Sequence, residues 1–144
     1  MKNRFLVLIC VLFFVLSCTK DNNGKPTISI ESVTTIVPLQ GGFEAKLKFT
    51  QTNGKLSNGT FIAIRNRLNQ IQAPPITDQP DTVLTPIPTF PDRNKGEFTY
   101  TSTWAELHQS DVENDTIVFK FAAMGTDSVS NDTVTSEKIV ILHQ

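Results

Sequence analysis

The segment that decides the fold is Phe43-Glu44-Ala45-Lys46-Leu47-Lys48-Phe49-Thr50, in which apolar and polar residues alternate without exception. Successive side chains of a β-strand point to opposite faces, so this pattern predicts a strand with one face in a core and the other in water. The preceding Gly41-Gly42 predicts a turn, and Thr27 to Thr34 predicts an earlier strand with Ile28 and Ile30 on one face. The domain is therefore expected to begin with two strands joined by a turn.

Further strands are predicted downstream, separated by turn signals such as Asn58-Gly59, which supplies the positive φ of a tight turn. These strands are Thr60 to Leu68, Glu97 to Thr103, Thr116 to Met124 and Thr133 to Leu142. The run Thr103-Trp104-Ala105-Glu106 matches a capping box. In this motif the Thr103 side chain accepts from the main-chain N–H of Glu106, three residues later, and the Glu106 side chain accepts from the main-chain N–H of Thr103. A single helical turn through Leu107 should follow.

A proline-rich stretch lies between Gln72 and Asp92 and contains most of the eight prolines of the chain. They are Pro74, Pro75, Pro80, Pro86, Pro88 and Pro91. Proline donates no hydrogen bond to a neighbouring strand, so this stretch is expected to run along a sheet edge, with a short strand at Asp81 to Leu84. Two interpretations stay open: a functional loop, or an edge cover that blocks aggregation.

These patterns, with no long amphipathic helix, predict an all-β fold: an immunoglobulin-like two-sheet antiparallel sandwich of about seven strands. The run from Ile117 to Ala123, followed by a polar turn and a β-branched final strand, resembles the last hairpin of immunoglobulin-like and fibronectin type III domains. The helical turn before it lies where those domains cross between sheets. One departure is Ile117, which replaces their usual tyrosine. The resemblance implies a sandwich over residues 27–144.

The amino-terminal sequence predicts an export signal: Lys2 and Arg4 precede an apolar run from Phe5 to Leu16, too short to span a bilayer. Its end, Val15-Leu16-Ser17-Cys18, resembles a bacterial lipobox. The resemblance implies that residues 1–17 are removed as a lipoprotein signal peptide and that Cys18 is acylated, with palmitate-type chains holding the protein on a membrane. Residues 18–26 then form a lipidated flexible tether. The alternative is an ordinary secretory signal with Cys18 incidental.

The residues after the cysteine predict the location in the cell envelope. Thr19 is not the aspartate that retains enterobacterial lipoproteins at the inner membrane, which favours the outer membrane. Lys20-Asp21 partly resembles the surface-export signal of Bacteroidota-type lipoproteins, which leaves surface exposure open. Together with the sandwich pattern, the chain resembles the small single-domain lipoproteins of that bacterial group.

Cysteine content and charge exclude several functions. Cys10 lies in the apolar run and is expected to be removed with it, which would leave Cys18 as the one cysteine, so neither a disulfide nor a cysteine metal site is expected. The chain has 13 basic and 14 acidic side chains and a formal net charge of −1. Without a basic cluster, nucleic acid is not expected as a partner.

No catalytic residue, metal site or cofactor is predicted. His108 and His143 have no nucleophile or second histidine near them in sequence and are expected at the surface. Two acidic groups offer oxygen ligands for a hard cation such as calcium, but their spacing matches no EF-hand loop, and these are ordinary turn residues. The groups are Asp127, Asn131 and Asp132, and Asp111, Glu113 and Asp115.

Two aromatic residues are candidate ligand contacts. Trp104 and Tyr100 are the sole tryptophan and tyrosine of the chain, and a sugar ring could stack on either if it is exposed. A sandwich of this size also needs large rings in its core, and this packing role is favoured for Trp104.

A three-residue pattern of Asp, then Ser or Thr, then an apolar residue occurs repeatedly and resembles the O-glycosylation site of Bacteroidota envelope proteins. The hydroxyl positions are Thr82, Thr116, Ser128 and Thr133. Attached sugar there would be bulky and solubilising. The pattern also arises wherever a turn aspartate precedes a β-branched strand start, and both interpretations stay open.

The leading functional hypothesis is a non-catalytic, lipid-anchored binding or accessory module, with the membrane and a glycan or protein ligand as partners. Its binding loops are expected at residues 54–58, in the proline-rich stretch and at residues 125–132. One alternative is a structural scaffold or assembly subunit that pairs edge to edge with like domains. A small hydrolase or an enzyme inhibitor is the other.

Overall fold

Two β-sheets pack face to face in the computed structural model, which describes residues 26–51, 56–72, 80–91, 93–127 and 133–143. Strands are numbered along the chain. The smaller sheet contains β1 (Thr27–Val33), β3 (Gly42–Thr50) and β6 (Lys95–Thr103), paired antiparallel in the order β1-β3-β6.

The larger sheet follows the order β2-β9-β7-β4-β5. Its strands are β2 (Ile36–Val37), β4 (Thr60–Arg67), β5 (Thr82–Pro86), β7 (Asp115–Met124) and β9 (Ile139–Ile141), and β8 (Val134–Thr135) also pairs with β7. The pairing of β2 with β9 is parallel, whereas the sequence predicted an antiparallel sandwich throughout. The described strands exceed the predicted seven because β2 and β8, of two residues each, are too short to leave a periodic signal.

The core lies between the sheets and is rich in aromatic rings. On β3 the predicted alternation is confirmed, since Phe43, Ala45, Leu47 and Phe49 are buried and the residues between them are exposed. Ring contacts fix how the layers face each other. Phe43 of β3 packs on Phe119 of β7, with centroids 5.0 Å apart, so these two strands lie opposite each other.

Local turn and cap signals are also confirmed. Asn58 has a φ of 61°, and the adjoining Gly59 N–H donates to Leu56 O at 3.0 Å, which closes the turn into β4. Thr103 and Glu106 form the predicted capping box at the start of a single turn, α1 (Trp104–Leu107). This turn carries the chain from β6 in the smaller sheet toward β7 in the larger one, as the resemblance to immunoglobulin-like domains implied.

Two strand predictions needed adjustment. The span from Thr133 to Leu142 is not one strand, because buried Ser136 turns inward: its N–H donates to Phe119 O, and its Oγ accepts from Phe119 N at 2.9 Å. The short strand predicted at Asp81 to Leu84 lies one to two residues further on, as β5. As expected for a proline-rich stretch, β5 is an edge strand.

Several sequence predictions concern residues outside the described ranges. These are the signal peptide at residues 1–17, Cys18 with most of the tether, residues 54–55, and Ser128, Asn131 and Asp132. Pro26, assigned to the end of the tether, is buried beside the start of β1. No helix within the described ranges is long and apolar enough to cross a membrane.

Candidate functional site

The candidate site is a cleft of about 540 Å³ between the edge strands β5 and β6. It exists because the two sheets differ in width. Phe98 of β6 packs edge to face on Phe61 of β4, with centroids 4.9 Å apart, so β6 lies opposite β4. β5 continues the larger sheet beyond β4, and none of the described strands lies opposite it. The cleft occupies this unfilled position.

Aromatic rings form the floor of the cleft. Phe61, Phe98, Tyr100 and Phe119 line it, and Val83 of β5 adds an apolar wall. Tyr100 contacts four phenylalanine rings, yet its hydroxyl makes no hydrogen bond within the described part of the chain. A cluster of buried and half-buried rings with one hydroxyl that has no described partner is the kind of mixed surface on which ligands bind.

A buried arginine closes the end of the cleft nearest α1. The side chain of Arg65 is 4% exposed and donates from Nη1 to Glu106 O at 2.8 Å and from Nη2 to Asp81 Oδ1 at 3.1 Å. These bonds join β4, the start of β5 and α1. Among the described lining residues of the cleft, Asp81 and Glu106 carry negative charge and Arg65 carries positive charge, so their summed charge at this end is negative.

Hydrogen bonding and burial shift two acid groups in the cleft. The Thr103 main-chain N–H donates to Glu106 Oε2 at 2.7 Å, and with the hydroxyls of Ser102 and Thr103 it lowers the pKa of Glu106. Burial among rings raises the pKa of Tyr100, the Glu106 carboxylate raises it further, and Arg65 opposes the shift. At neutral pH the cleft therefore presents a neutral phenol beside a charged carboxylate.

The two histidines lie outside this cleft but meet each other. His108 Nε2 is 3.2 Å from His143 Nδ1, and the His108 ring stacks on Trp104 with centroids 4.3 Å apart. Trp104 Nε1 donates to Leu142 O at 2.7 Å. The predicted candidate contacts therefore separate: Tyr100 lies in the cleft, and Trp104 packs at the end of the sandwich with one ring face covered by His108.

Two of the acidic residues around the start of β7, Glu113 and Asp115, have structural partners. Asp115 is fully buried and accepts from Arg67 Nε at 2.5 Å and from Gln109 N at 2.6 Å. Glu113 accepts from Arg67 Nη2 at 3.2 Å. Their carboxylates hold the segment between α1 and β7 in place, and no cluster of three metal-ligating side chains occurs in the described ranges.

The hydroxyl residues of the glycosylation-like pattern differ in exposure. Thr82 and Thr133 are exposed, whereas Thr116 is half-buried and follows the fully buried Asp115. Thr82 lies on β5 beside the cleft, and Thr133 precedes β8. Their use as modification sites stays a prediction.

Sequence reasoning missed Arg65, Asp81 and Phe61 as site residues. Arg65 lies on the inward face of β4, two residues after Ala63 and four after Phe61. This alternation in the sequence could have predicted that the arginine is buried. Its pairing with Asp81 spans the proline-rich stretch and has no sequence signature.

The fold places the chain in the class of immunoglobulin-like β-sandwiches. The orders β1-β3-β6 and β4-β7-β9 match the A-B-E and C-F-G orders of immunoglobulin sheets. Among solved structures, a cohesin module from the family 33 glycoside hydrolase of Clostridium perfringens ATCC13124 is similar, with 14% identity, a TM-score of 0.42, and coverage of 83% of this chain and 98% of that one.

A second similar structure is the β-glucosidase from Listeria innocua in complex with glucose, with 8% identity and a TM-score of 0.45. That match covers 82% of this chain and 16% of the glucosidase chain. Both similarities concern the fold alone. No protein-family model matches the sequence, and no curated protein matches it.

Proposed function

We propose that this chain is a lipid-anchored, non-catalytic binding module of the outer membrane, and that it binds its ligand in the cleft between β5 and β6. The observation that supports this proposal most directly is the cleft itself. Its volume of about 540 Å³ is within the usual range of ligand pockets, and its aromatic floor is bordered by the charged side chains of Arg65, Asp81 and Glu106 at the end nearest α1.

The polar groups around the cleft favour binding over catalysis. Arg65 is held by Asp81 and by the Glu106 carbonyl, and the Glu106 carboxylate caps α1. Neither histidine is among the residues that line the cleft. Ser102 Oγ donates to Glu106 Oε2 at 2.9 Å, but this carboxylate also accepts from the Thr103 main-chain N–H and hydroxyl in the capping box. Side chains committed to such structural bonds hold a site in shape without taking part in proton transfer.

Membrane anchoring is proposed from the sequence. The lipobox-like Val15-Leu16-Ser17-Cys18 and the polar residues after it would place the sandwich at the end of a short tether, with the cleft free to meet a ligand. Metabolic labelling with an alkyne analogue of palmitate tests this step. Label should appear on the native protein and disappear in a Cys18→Ser variant, and an unlabelled native protein would refute the anchor.

The cleft is tested with a photocrosslinking amino acid placed on either side of β5. Val83 faces the cleft, whereas its neighbour Leu84 is 64% exposed on the outer face of the same strand. In cells that express the native chain, benzoylphenylalanine at Val83 should give a discrete crosslinked species that is absent when it replaces Leu84. Equal crosslinking at both positions, or none at Val83, would refute a binding cleft.

A further inference from the structure

The outer edge of β6 presents to the cleft main-chain groups that have no partner within the described ranges. On its other side β6 pairs with β3 over its whole length, from Thr103 opposite Gly42 to Lys95 opposite Thr50. Trp104 N donates to Gly41 O, and Asn94 O accepts from Gln51 N, so even-numbered residues direct their main-chain groups toward β3. Main-chain direction alternates along an antiparallel strand, and Glu97, Thr99 and Thr101 therefore direct theirs away from β3, where none of the described strands pairs with them.

Thr99 and Thr101 line the cleft although their side chains lie on the solvent face of β6. Their main-chain atoms therefore form part of the cleft wall. The open run ends at Thr103, whose N–H is bonded to the Glu106 carboxylate.

Other sheet edges in the described structure are protected against strand addition, and β6 is not. β5 has five residues, and Pro86 removes an N–H from its outward positions. The register of β1 shifts between Ile30 and Ser32, which is a bulge. β2 has two residues. In contrast, β6 has nine residues without a proline or a register shift. Such an unprotected edge is a template for another strand.

The larger sheet extends one strand, β5, beyond the position opposite β6. Neighbouring strands lie about 4.8 Å apart, so a strand added to β6 would lie opposite β5, which has no described strand across from it. Phe98 and Tyr100 are half-buried at this edge, whereas Ala45 and Leu47 on β3 are fully buried. An added strand with apolar side chains at alternate positions would complete the burial of these rings.

The overhang of β5 is incompatible with a second intact copy of this chain that docks through its own β6. Suppose that the second copy paired its β6 with the β6 of the first and pointed the apolar side chains of that strand into the cleft. Because β4 lies opposite β6 in each copy, the β4 of the second copy would then occupy the position of β5 in the first. An isolated extended segment meets no such clash. The negative charge of Asp81 and Glu106 at the α1 end favours a basic residue on that segment.

We infer that the ligand of the cleft is an extended segment of a partner protein, which adds to β6 as the fourth strand of the smaller sheet. Its apolar side chains alternate into the aromatic floor, and a lysine or arginine lies beside Asp81 and Glu106. This inference rests on the proposed binding function and names the ligand class for the same site. Main-chain hydrogen bonds supply affinity, and the floor supplies specificity.

The first test uses a randomised peptide library of about nine residues, the length of β6, screened against the protein purified from the envelope of expressing cells. Selected peptides should alternate apolar and polar residues and carry a basic residue toward one end. N-methylation of those amides that face β6 should weaken binding by about tenfold or more each, and methylation of the intervening amides should change it far less.

The second test removes a single main-chain donor from the protein. Thr99→Pro deletes an outward N–H of β6 that does not pair with β3, and an edge strand tolerates proline at such a position. Binding should fall by about tenfold or more. Leu84→Pro is the matched control, because it removes an outward N–H from β5, the opposite edge, and should leave peptide binding unchanged. Fluorescence of Trp104 reports whether both variants are folded.

The third test needs no variant. In the free protein, amide hydrogens of Glu97, Thr99 and Thr101 should exchange quickly with solvent, and those of Phe98 and Tyr100 slowly, because only the latter pair with β3. A selected peptide should protect the first group and leave the second as it was.

The outcomes separate the two proposals. If glycans bind and compete with crosslinking at Val83, and no library peptide binds, the strand inference is overturned and the binding module stands. Peptide binding that is insensitive to Thr99→Pro and to amide methylation also overturns the strand inference. If no peptide or glycan binds and Val83 gives no crosslink, both proposals fail.

Discussion

Arg67 donates from Nε to the Asp115 carboxylate at 2.5 Å, and Asp115 is fully buried where β7 begins. The second carboxylate oxygen accepts from the main-chain N–H groups of Gln109 at 2.6 Å and Ser110 at 3.0 Å. One acidic side chain thus joins β4 to the segment that follows α1. This arrangement fixes how the chain crosses from the smaller sheet to the larger one.

Asp115→Ala should destabilise the fold strongly. The substitution leaves Nε of the largely buried Arg67 side chain and two main-chain N–H groups without their acceptor, and breaking a buried pair in this way costs about 3–5 kcal/mol. Urea unfolding followed by Trp104 fluorescence measures the loss. Asp111→Ala removes an exposed carboxylate nearby and should change stability by about 0.5 kcal/mol or less. Equal effects would show that the Asp115 contacts are not the cause.

The capping box predicts a pH dependence of stability. Hydrogen bonds from Thr103 and Ser102 lower the pKa of Glu106 below its ordinary value of about 4.3. The stabilisation is therefore present above that value and is lost as pH falls through the lower pKa of the folded state. The native protein should unfold at a higher temperature than Glu106→Gln near neutral pH, and the difference should vanish in acid, where the protonated carboxyl resembles the amide.

Glu137→Gln is the control for this pH dependence, since Glu137 is exposed and its side chain has no capping role. It should follow the native unfolding curve at every pH. A difference between native protein and Glu106→Gln that persists in acid would contradict the assigned cause.

Local patterns allowed most of the strands to be predicted. The alternation from Phe43 to Thr50 needs only near neighbours to be recognised, and the capping box at Thr103 is complete within four residues. In each case the physical cause acts within one element, so the sequence contains the whole signal.

The candidate site could not be predicted, because it depends on distant pairings. The cleft exists because β5 extends the larger sheet past β6, and sheet width follows from the pairing of all strands at once. His108 and His143, 35 residues apart, meet only after β9 has docked beside β7. The break at Ser136 likewise depends on Phe119, which is 17 residues earlier.

Tyr100 should titrate above the ordinary tyrosine value of about 10. Burial raises the pKa of Tyr100 first, and the Glu106 carboxylate adds to the shift. The associated stabilisation is full below about pH 10 and is lost as pH rises through the pKa of the folded state. Phenolate absorbance measures the titration directly, because Tyr100 is the only tyrosine of the chain.

Two variants check the origin of this phenolate signal. Tyr100→Phe should abolish it, and Glu106→Gln should lower the titration midpoint without bringing it to the ordinary value, since burial is the larger cause. A midpoint near 10 in the folded native protein would show that the ring is more solvated than its contacts with phenylalanine indicate.

Gly96→Ala should destabilise the protein through the ring of Phe49. A Cβ at Gly96 would lie 2.6 Å from two ring atoms of Phe49, which is buried and also packs on Phe98 at a centroid distance of 6.1 Å. Forcing extra volume into a packed core costs about 1–3 kcal/mol. Gly42→Ala is the matched control on β3, because the nearest atom to its new Cβ, Ser102 O, would be 3.9 Å away, an ordinary contact.

Phe49→Leu should relieve part of the loss of stability caused by Gly96→Ala when the two are combined. Urea unfolding of the two single variants and the double variant would measure this. If the changes in the free energy of unfolding of the two single variants simply add up in the double variant, the contact between Gly96 and the Phe49 ring is not the cause.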